Sequence, residues 1–264
     1  MSRSQLRLPL AIVNLFSFLV VLVVNALATT IPLGGKTTAQ LSDQYPNLFV
    51  PSGLTFSIWG VIYILLGVYV VYGIVRSARK SEPTNDFVDR IGILFIVTCV
   101  ANAGWILAWQ YEILPLSLAF MLILLVTLIA IYNRLNVGRS KAAPAEKFMV
   151  HMPMSVYFGW ISIATIANVT ALLVAYKWNR FGIREEIWAI IMIGIGIVLG
   201  LTMLFSRRDI FYALVVDWAV LGILLKRTAD TANPAKGIVI ISIIGICLLT
   251  LGILAQIARR KVYQ

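Results

Sequence analysis

The chain has 264 residues, 60% of them hydrophobic and 12% charged, with a net charge of +11 and a mean hydropathy of +0.92. A water-soluble domain is about 25% charged and has too little interior to hide this much apolar surface, so the expected solvent is lipid. The 22 Lys and Arg residues stand in short clusters between apolar runs; such clusters set membrane orientation and attract anionic headgroups, and their placement argues against a nucleic-acid binder, whose cations gather on one face or arm.

A bilayer-crossing helix needs about 20 apolar residues, and eight stretches qualify as candidates. Leu8–Ile31 is the first. Its Arg3 and Arg7 flank and its Ala26-Leu27-Ala28 resemble a signal peptide, but the run is longer than an ordinary signal core, so it is read as a retained span. Pro32–Gly53 follows, with Gly34, Gly35, Pro46 and Pro51, and is expected to be a loop that folds over the bundle like a lid. Leu54–Val75, Ile91–Tyr111 and Ile113–Asn133 come next, the last two joined by a tight turn at Glu112 and Pro115. Phe148–Tyr176 carries only His151, and Ile187–Ser206 is uncharged. Ile210–Leu225 contains Asp217, and Gly237–Ala258 closes the series. These runs are too long and too evenly apolar for barrel strands. The fold class is therefore all-α integral membrane, a polytopic bundle of about eight transmembrane helices. With the N-terminus inside, 15 of the 22 Lys and Arg fall on the inner side, which favours both termini cytoplasmic. The plasma membrane is taken by default.

Chemistry-bearing residues are sparse. Cys99 and Cys247 lie in different spans, and His151 is the single histidine, so no metal site is expected and no catalytic residue is assigned. There is no phosphate-binding loop and no metal-binding His-Glu pair. Every Lys sits at a span end or in a loop, which excludes a retinal Schiff base.

Aromatic and amide side chains at helical spacing are more informative. Trp59 and Tyr63 share one face of the second span, after Pro51-Ser52-Gly53 and Phe56. Asn102, Trp105 and Trp109 share a face of the third. Pro153, Tyr157, Trp160, Ala164 and Asn168 form a stripe on the fifth. Interfacial aromatics and helix-bridging amides explain any one of these. Together they suit a pocket that is mostly aromatic with a few hydrogen-bonding groups, suitable for a flat hydrophobic ligand.

The same residues carry a resemblance to the tryptophan-rich sensory protein / translocator protein family. Trp160-Ile-Ser-Ile-Ala-Thr-Ile-Ala-Asn168 resembles its fifth-helix signature, Asn102-Ala-Gly-Trp105 its third-helix Asn-x-x-Trp, and Pro51-x-Gly53 with Phe56 and Trp59-x-x-x-Tyr63 the start of its second helix. The resemblance covers roughly residues 8–178. It implies a five-helix bundle in that region (1–178), followed by a further three-helix region (179–264). It also implies a pocket under the first loop for a tetrapyrrole such as protoporphyrin, and for sterols, with Trp59, Tyr63, Asn102, Trp105, Trp160, Ala164, Thr165 and Asn168 as ligand-binding positions. No cofactor is required on this reading. The chain departs from the family in having no Gly-Pro before Trp59 and no acid in Leu116–Leu125. The sterol-contact pattern after Asn168 is also missing, although a Leu172-x3-Tyr176-x3-Arg180 pattern occurs.

Beyond residue 178, Asp217 stands out, because an acid inside lipid is costly unless paired, neutral or facing water. Gly196 and Gly200 have the spacing of close helix packing. Two functions follow from these readings. One is a membrane-embedded binding or sensory protein for a flat hydrophobic ligand, which it could also carry across or along the membrane. The other is a secondary transporter with Asp217 as its proton- or cation-coupling residue, although neither an inverted repeat nor a pair of broken helices is evident. Partners are the bilayer and the small ligand, and the outer faces allow a homodimer.

Overall fold

The structure is a computed structural model, described for residues 3–31, 33–79, 86–230 and 235–262. Pro32, where the first loop was expected to begin, and Lys80 of the orientation count lie outside the described residues. Eight helices of 17 residues or more occur among the described residues: α1 (Arg3–Thr30), α2 (Ile58–Ala78), α3 (Leu94–Gln110), α4 (Leu114–Leu135), α5 (Met152–Ala175), α6 (Glu185–Ser206), α7 (Ile210–Ala229) and α8 (Lys236–Val262). Six helical segments, containing α1, α2, α4, α5, α6 and α8, are long and apolar enough to cross a membrane. The protein is an all-helical, multi-pass integral membrane protein in contact with the bilayer.

The remaining two helices show how residue-level contacts settle what hydropathy leaves open. α3 has only 17 residues, about 26 Å at 1.5 Å per residue. Just before it, Asp89 accepts from Arg7 Nε at 2.7 Å, at the start of α1. At its far end, Gln110 Oε1 accepts from Gly34 N at 3.2 Å, just past the end of α1. α3 therefore runs the same thickness as α1. α7 carries Asp217, Lys226 and Arg227, but its 20 residues reach about 30 Å.

Local chemistry sets the boundaries. The predicted third span is shorter than expected because Gly92, at φ 57°, separates a short helix Phe87–Ile91 from α3. Asp86 caps that short helix by accepting from Val88 N at 3.3 Å. Glu112 takes a positive φ of 57° in the turn between α3 and α4, and Pro115 sits in the first turn of α4, where its missing N–H costs nothing. Asn136 ends α4 in the left-handed region. Asp209 caps α7 through Phe211 N and Tyr212 N, both at 3.1 Å. The fifth predicted span gains a π-helical turn, Lys147–His151, ahead of α5.

The chain packs as two compact units. The first comprises Met1–Thr38 and Trp59–Phe158. In it α3 packs on α1 and α4. Ion pairs Arg7–Asp89, Arg76–Asp86 and Arg90–Glu146 tie together the start of α1, the α2–α3 connection and the start of the fifth span. The second comprises Ala39–Ile58 and Gly159–Gln264. There α6, α7 and α8 pack against one another. Glu186 accepts from Gly237 N at 2.9 Å at their starts, and Gln256 donates to the Leu204 carbonyl at 3.1 Å near their ends. α6 and α8 therefore run parallel, as two even-numbered spans must. Gly200 does what its spacing suggested: a Cβ there would lie 2.8 Å from Leu249 and 3.3 Å from Val216.

Candidate functional site

Four of the eight predicted ligand-binding residues, Trp59, Tyr63, Asn102 and Trp105, belong to the first unit. Trp59 stacks on Tyr63 at 5.6 Å, one helical turn along α2, and on Trp105 of α3 at 5.3 Å. Tyr157 meets Trp59 edge-on at 6.2 Å. Asn102 is fully buried and central to a relay of amides. Its Oδ1 accepts from Asn25 Nδ2 and its Nδ2 donates to the Tyr157 hydroxyl, each at 2.9 Å. The Asn25 amide also donates to the Val21 carbonyl at 2.9 Å. Within lipid such amides bridge helices, and aromatic contacts of this kind are worth about 0.5–1.5 kcal/mol each beyond burial. The Trp105 indole N–H is buried and meets no acceptor among the described residues. The rings of α2, α3 and α5 thus meet one another around Trp59.

The other four, Trp160, Ala164, Thr165 and Asn168, belong to the second unit. Trp160 is buried with its ring edge-on to Phe56 at 6.1 Å. Thr165 is buried, donates its hydroxyl proton to the Ile161 carbonyl at 2.7 Å, and lines a cavity of about 670 Å³. Asn168 is buried and Ala164 half-buried on the same helix. The stripe read along the fifth span is thus shared out: Tyr157 serves the first unit's relay, and the residues from Trp160 onward serve the second unit.

The cavity is bounded by Pro46–Phe49 of the first loop, by α5 from Thr165 to Val174, and by the start of α6. Ile166, Val169, Leu173 and Met192 make its wall apolar. Of its charged lining residues, Lys177 and Arg180 come from the α5–α6 turn and Glu185 from the first turn of α6. From that turn back to Thr165 is about 15 Å of helix, so the cavity runs from a polar mouth into an apolar interior. Trp178 and Trp188 flank the mouth, their rings 5.1 Å apart, in the usual place for interfacial aromatics. The sequence signal for this feature is two Trp around a short charged turn, which is also the pattern of ordinary interfacial anchoring. Tyr176, from the Leu-Tyr-Arg pattern, is 70% exposed and does not line the cavity.

The first loop is built, not slack. It contains a short helix, Thr38–Asp43, and a 3-10 turn, Gly53–Ser57. Asn47 fixes the cavity rim: its Oδ1 accepts from Phe49 N at 3.0 Å and Val50 N at 3.1 Å, and its Nδ2 donates to the Tyr45 carbonyl at 2.8 Å. Three residues of α7, each one turn after the last, then hold this segment. Trp218 Nε1 donates to the Thr55 carbonyl at 3.0 Å, the Gly222 carbonyl accepts from Ser52 N at 2.9 Å, and Lys226 pairs with Asp43. Gly222 is required there, because a Cβ would run into the Thr55 side chain.

Asp217 lies on α7, half-buried, and its Oδ2 accepts from the Thr250 hydroxyl of α8 at 3.2 Å. Its Oδ1 is buried and meets no partner among the described residues. No cluster of three or more metal-ligating side chains occurs among the described residues.

A multi-pass helical membrane protein with a loop-bounded, aromatic-rimmed cavity is the class this geometry defines. Residues 11–255 match the family described as TSPO-like protein, and the chain belongs to that family. The match continues through α6 and α7 and into α8, past residue 178 where the motif resemblance stops. No curated protein matches the chain, and no solved structure does.

Proposed function

We propose that the protein binds a flat hydrophobic ligand, a tetrapyrrole of the porphyrin kind, in the cavity of the second unit, and presents or carries it along the membrane. The observation that supports this most is the cavity itself. Its volume, about 670 Å³, is within the range for small-molecule pockets. It has apolar walls and aromatic residues at its mouth, and Thr165 of the family-like motif lines it. Span parity agrees with this placement. The first loop and the α5–α6 turn both follow odd-numbered spans, so both belong on one side of the membrane, and both line this cavity. By the Lys and Arg distribution that side is the non-cytoplasmic one.

Titration of the protein in lipid discs with protoporphyrin, followed by the shift of the porphyrin absorption band, tests the reading. Saturable binding is expected, and Val169→Phe, which puts a ring into the apolar wall, is expected to weaken it about a hundredfold. Binding equal in wild type and Val169→Phe would remove the cavity from the account.

A second reading, a secondary transporter coupled through Asp217, is favoured by a separate observation. One oxygen of that intramembrane carboxylate is held by Thr250, while the other is buried without a partner among the described residues. Such groups mark ion and proton pathways. Uptake in proteoliposomes that depends on a proton gradient and disappears in Asp217→Asn is the expected sign. Transport unchanged in Asp217→Asn would contradict it.

A further inference from the structure

The apolar depth of the cavity states what the body of a ligand must be, and the mouth says something about its polar end. This inference rests on the proposed ligand-binding reading. The polar groups at the mouth are Asn47, Lys177, Trp178, Asn179, Arg180, Glu185 and Trp188. Most are already engaged. Asn47 is held by the loop backbone. Asn179 accepts from Phe181 N at 3.1 Å and so shapes the turn. Trp188 Nε1 donates to the Arg180 carbonyl at 2.8 Å. Arg180 and Glu185 neutralise each other as an ion pair at 3.5 Å.

Of the cationic and aromatic groups, two are left over. Lys177 has no ion pair among the described residues, and the indole N–H of Trp178 has no acceptor among them. Both are donors, adjacent in the chain, at the end of α5. Lys177 takes a positive φ of 51°, and the backbone closes around it: Lys177 N donates to Val174 O and Trp178 N to Leu173 O, at 2.9 and 3.0 Å. The helix terminus thus fixes the two residues beside the opening, at the level where an apolar molecule would emerge from lipid.

We propose that the ligand carries an acidic group, a carboxylate or a phosphate, at one edge of its apolar body, and that Lys177 and Trp178 receive that group at the cavity mouth. Such a site distinguishes acidic amphiphiles from neutral ones of the same shape, because a charge-assisted hydrogen bond is roughly twice as strong as a neutral one. A porphyrin diacid satisfies it, and so does the phosphate of an anionic lipid, since the recognised chemistry is shared.

The test compares protoporphyrin with its dimethyl ester, in discs of phosphatidylcholine, for wild type, Lys177→Gln and Lys177→Arg. In wild type the diacid is expected to bind about tenfold more tightly than the ester. Lys177→Gln should bring the two together by weakening the diacid alone, and Lys177→Arg should restore the difference. Equal affinities in wild type, or a parallel loss of both compounds in Lys177→Gln, would overturn the inference while leaving the binding reading in place. Failure of both compounds to saturate would overturn both. Discs containing phosphatidylglycerol separate the sources. Displacement of the diacid in wild type but not in Lys177→Gln assigns the site to a lipid phosphate; no displacement assigns it to the free acid.

Discussion

The two units use the same kinds of residue to opposite ends. In the first, Trp59, Tyr63, Trp105 and Tyr157 meet ring against ring, and Asn102 spends both ends of its amide on Asn25 and Tyr157. In the second, Trp178 and Trp188 stand at the mouth of a cavity whose walls are aliphatic. Aromatic and amide side chains inside a membrane therefore do not by themselves mark a binding site. They mark places where van der Waals packing and hydrogen bonds must replace the hydrophobic drive that lipid removes. Space left among them marks a site. On the proposed reading the second unit, which holds the cavity of about 670 Å³, is the binding unit.

That contrast can be broken most forcefully at Trp105. Trp105→Ala removes a buried ring and its stack on Trp59, and should cost about 3–5 kcal/mol of stability. The expected result is a large fall in apparent Tm in detergent, with porphyrin affinity in the surviving folded protein changed less than about twofold. A loss of affinity without loss of stability would move the site to the first unit. Val169→Phe sharpens the same contrast from the other side: affinity falls about a hundredfold while Tm stays within a few degrees, because the added ring enters existing space.

Smaller effects are expected where α7 holds the first loop. Gly222→Ala forces the Thr55 side chain aside and should free the segment around Ser52–Thr55. Hydrogen exchange of those amides should accelerate, and affinity should fall severalfold. Unchanged exchange would show that the loop does not depend on this close approach. Lys226→Gln removes the ion pair to Asp43 of the first loop, which is worth at most about 1 kcal/mol at a partly exposed site. A change in Tm of more than a few degrees would mean that the pair does more than the geometry gives it.

Much of the fold was legible because the bilayer imposes a single strong constraint, a run of apolar residues of fixed minimum length. All eight helices, the Glu112–Pro115 turn and the packing role of Gly200 could be read from local sequence. The limits of α3 could not, because Gly92 breaks the helix by its backbone conformation inside an apolar stretch. Asp89 and Arg7 fix the crossing through a contact 82 residues apart. The candidate site was less legible. Thr165 falls within a recognisable motif, whereas Lys177, Trp178 and Trp188 have the pattern of ordinary interfacial residues. The grip of α7 on the first loop depends on partners up to 183 residues apart, which no local periodicity reports. The stripe from Tyr157 to Asn168 was read as one surface because a helix repeats every 3.6 residues. Its partners, Asn102 for Tyr157 and Phe56 for Trp160, lie in different units.

Photo-crosslinking would show whether the ligand sits in the second unit. A protoporphyrin carrying a diazirine would be bound to the protein in lipid discs, activated, and its attachment points located by mass spectrometry. The account predicts labels on Pro46–Phe49 and on residues 165–192, suppressed by excess unlabelled protoporphyrin. Competed labels on Trp59, Tyr63 or Trp105, with none in the second unit, would contradict it.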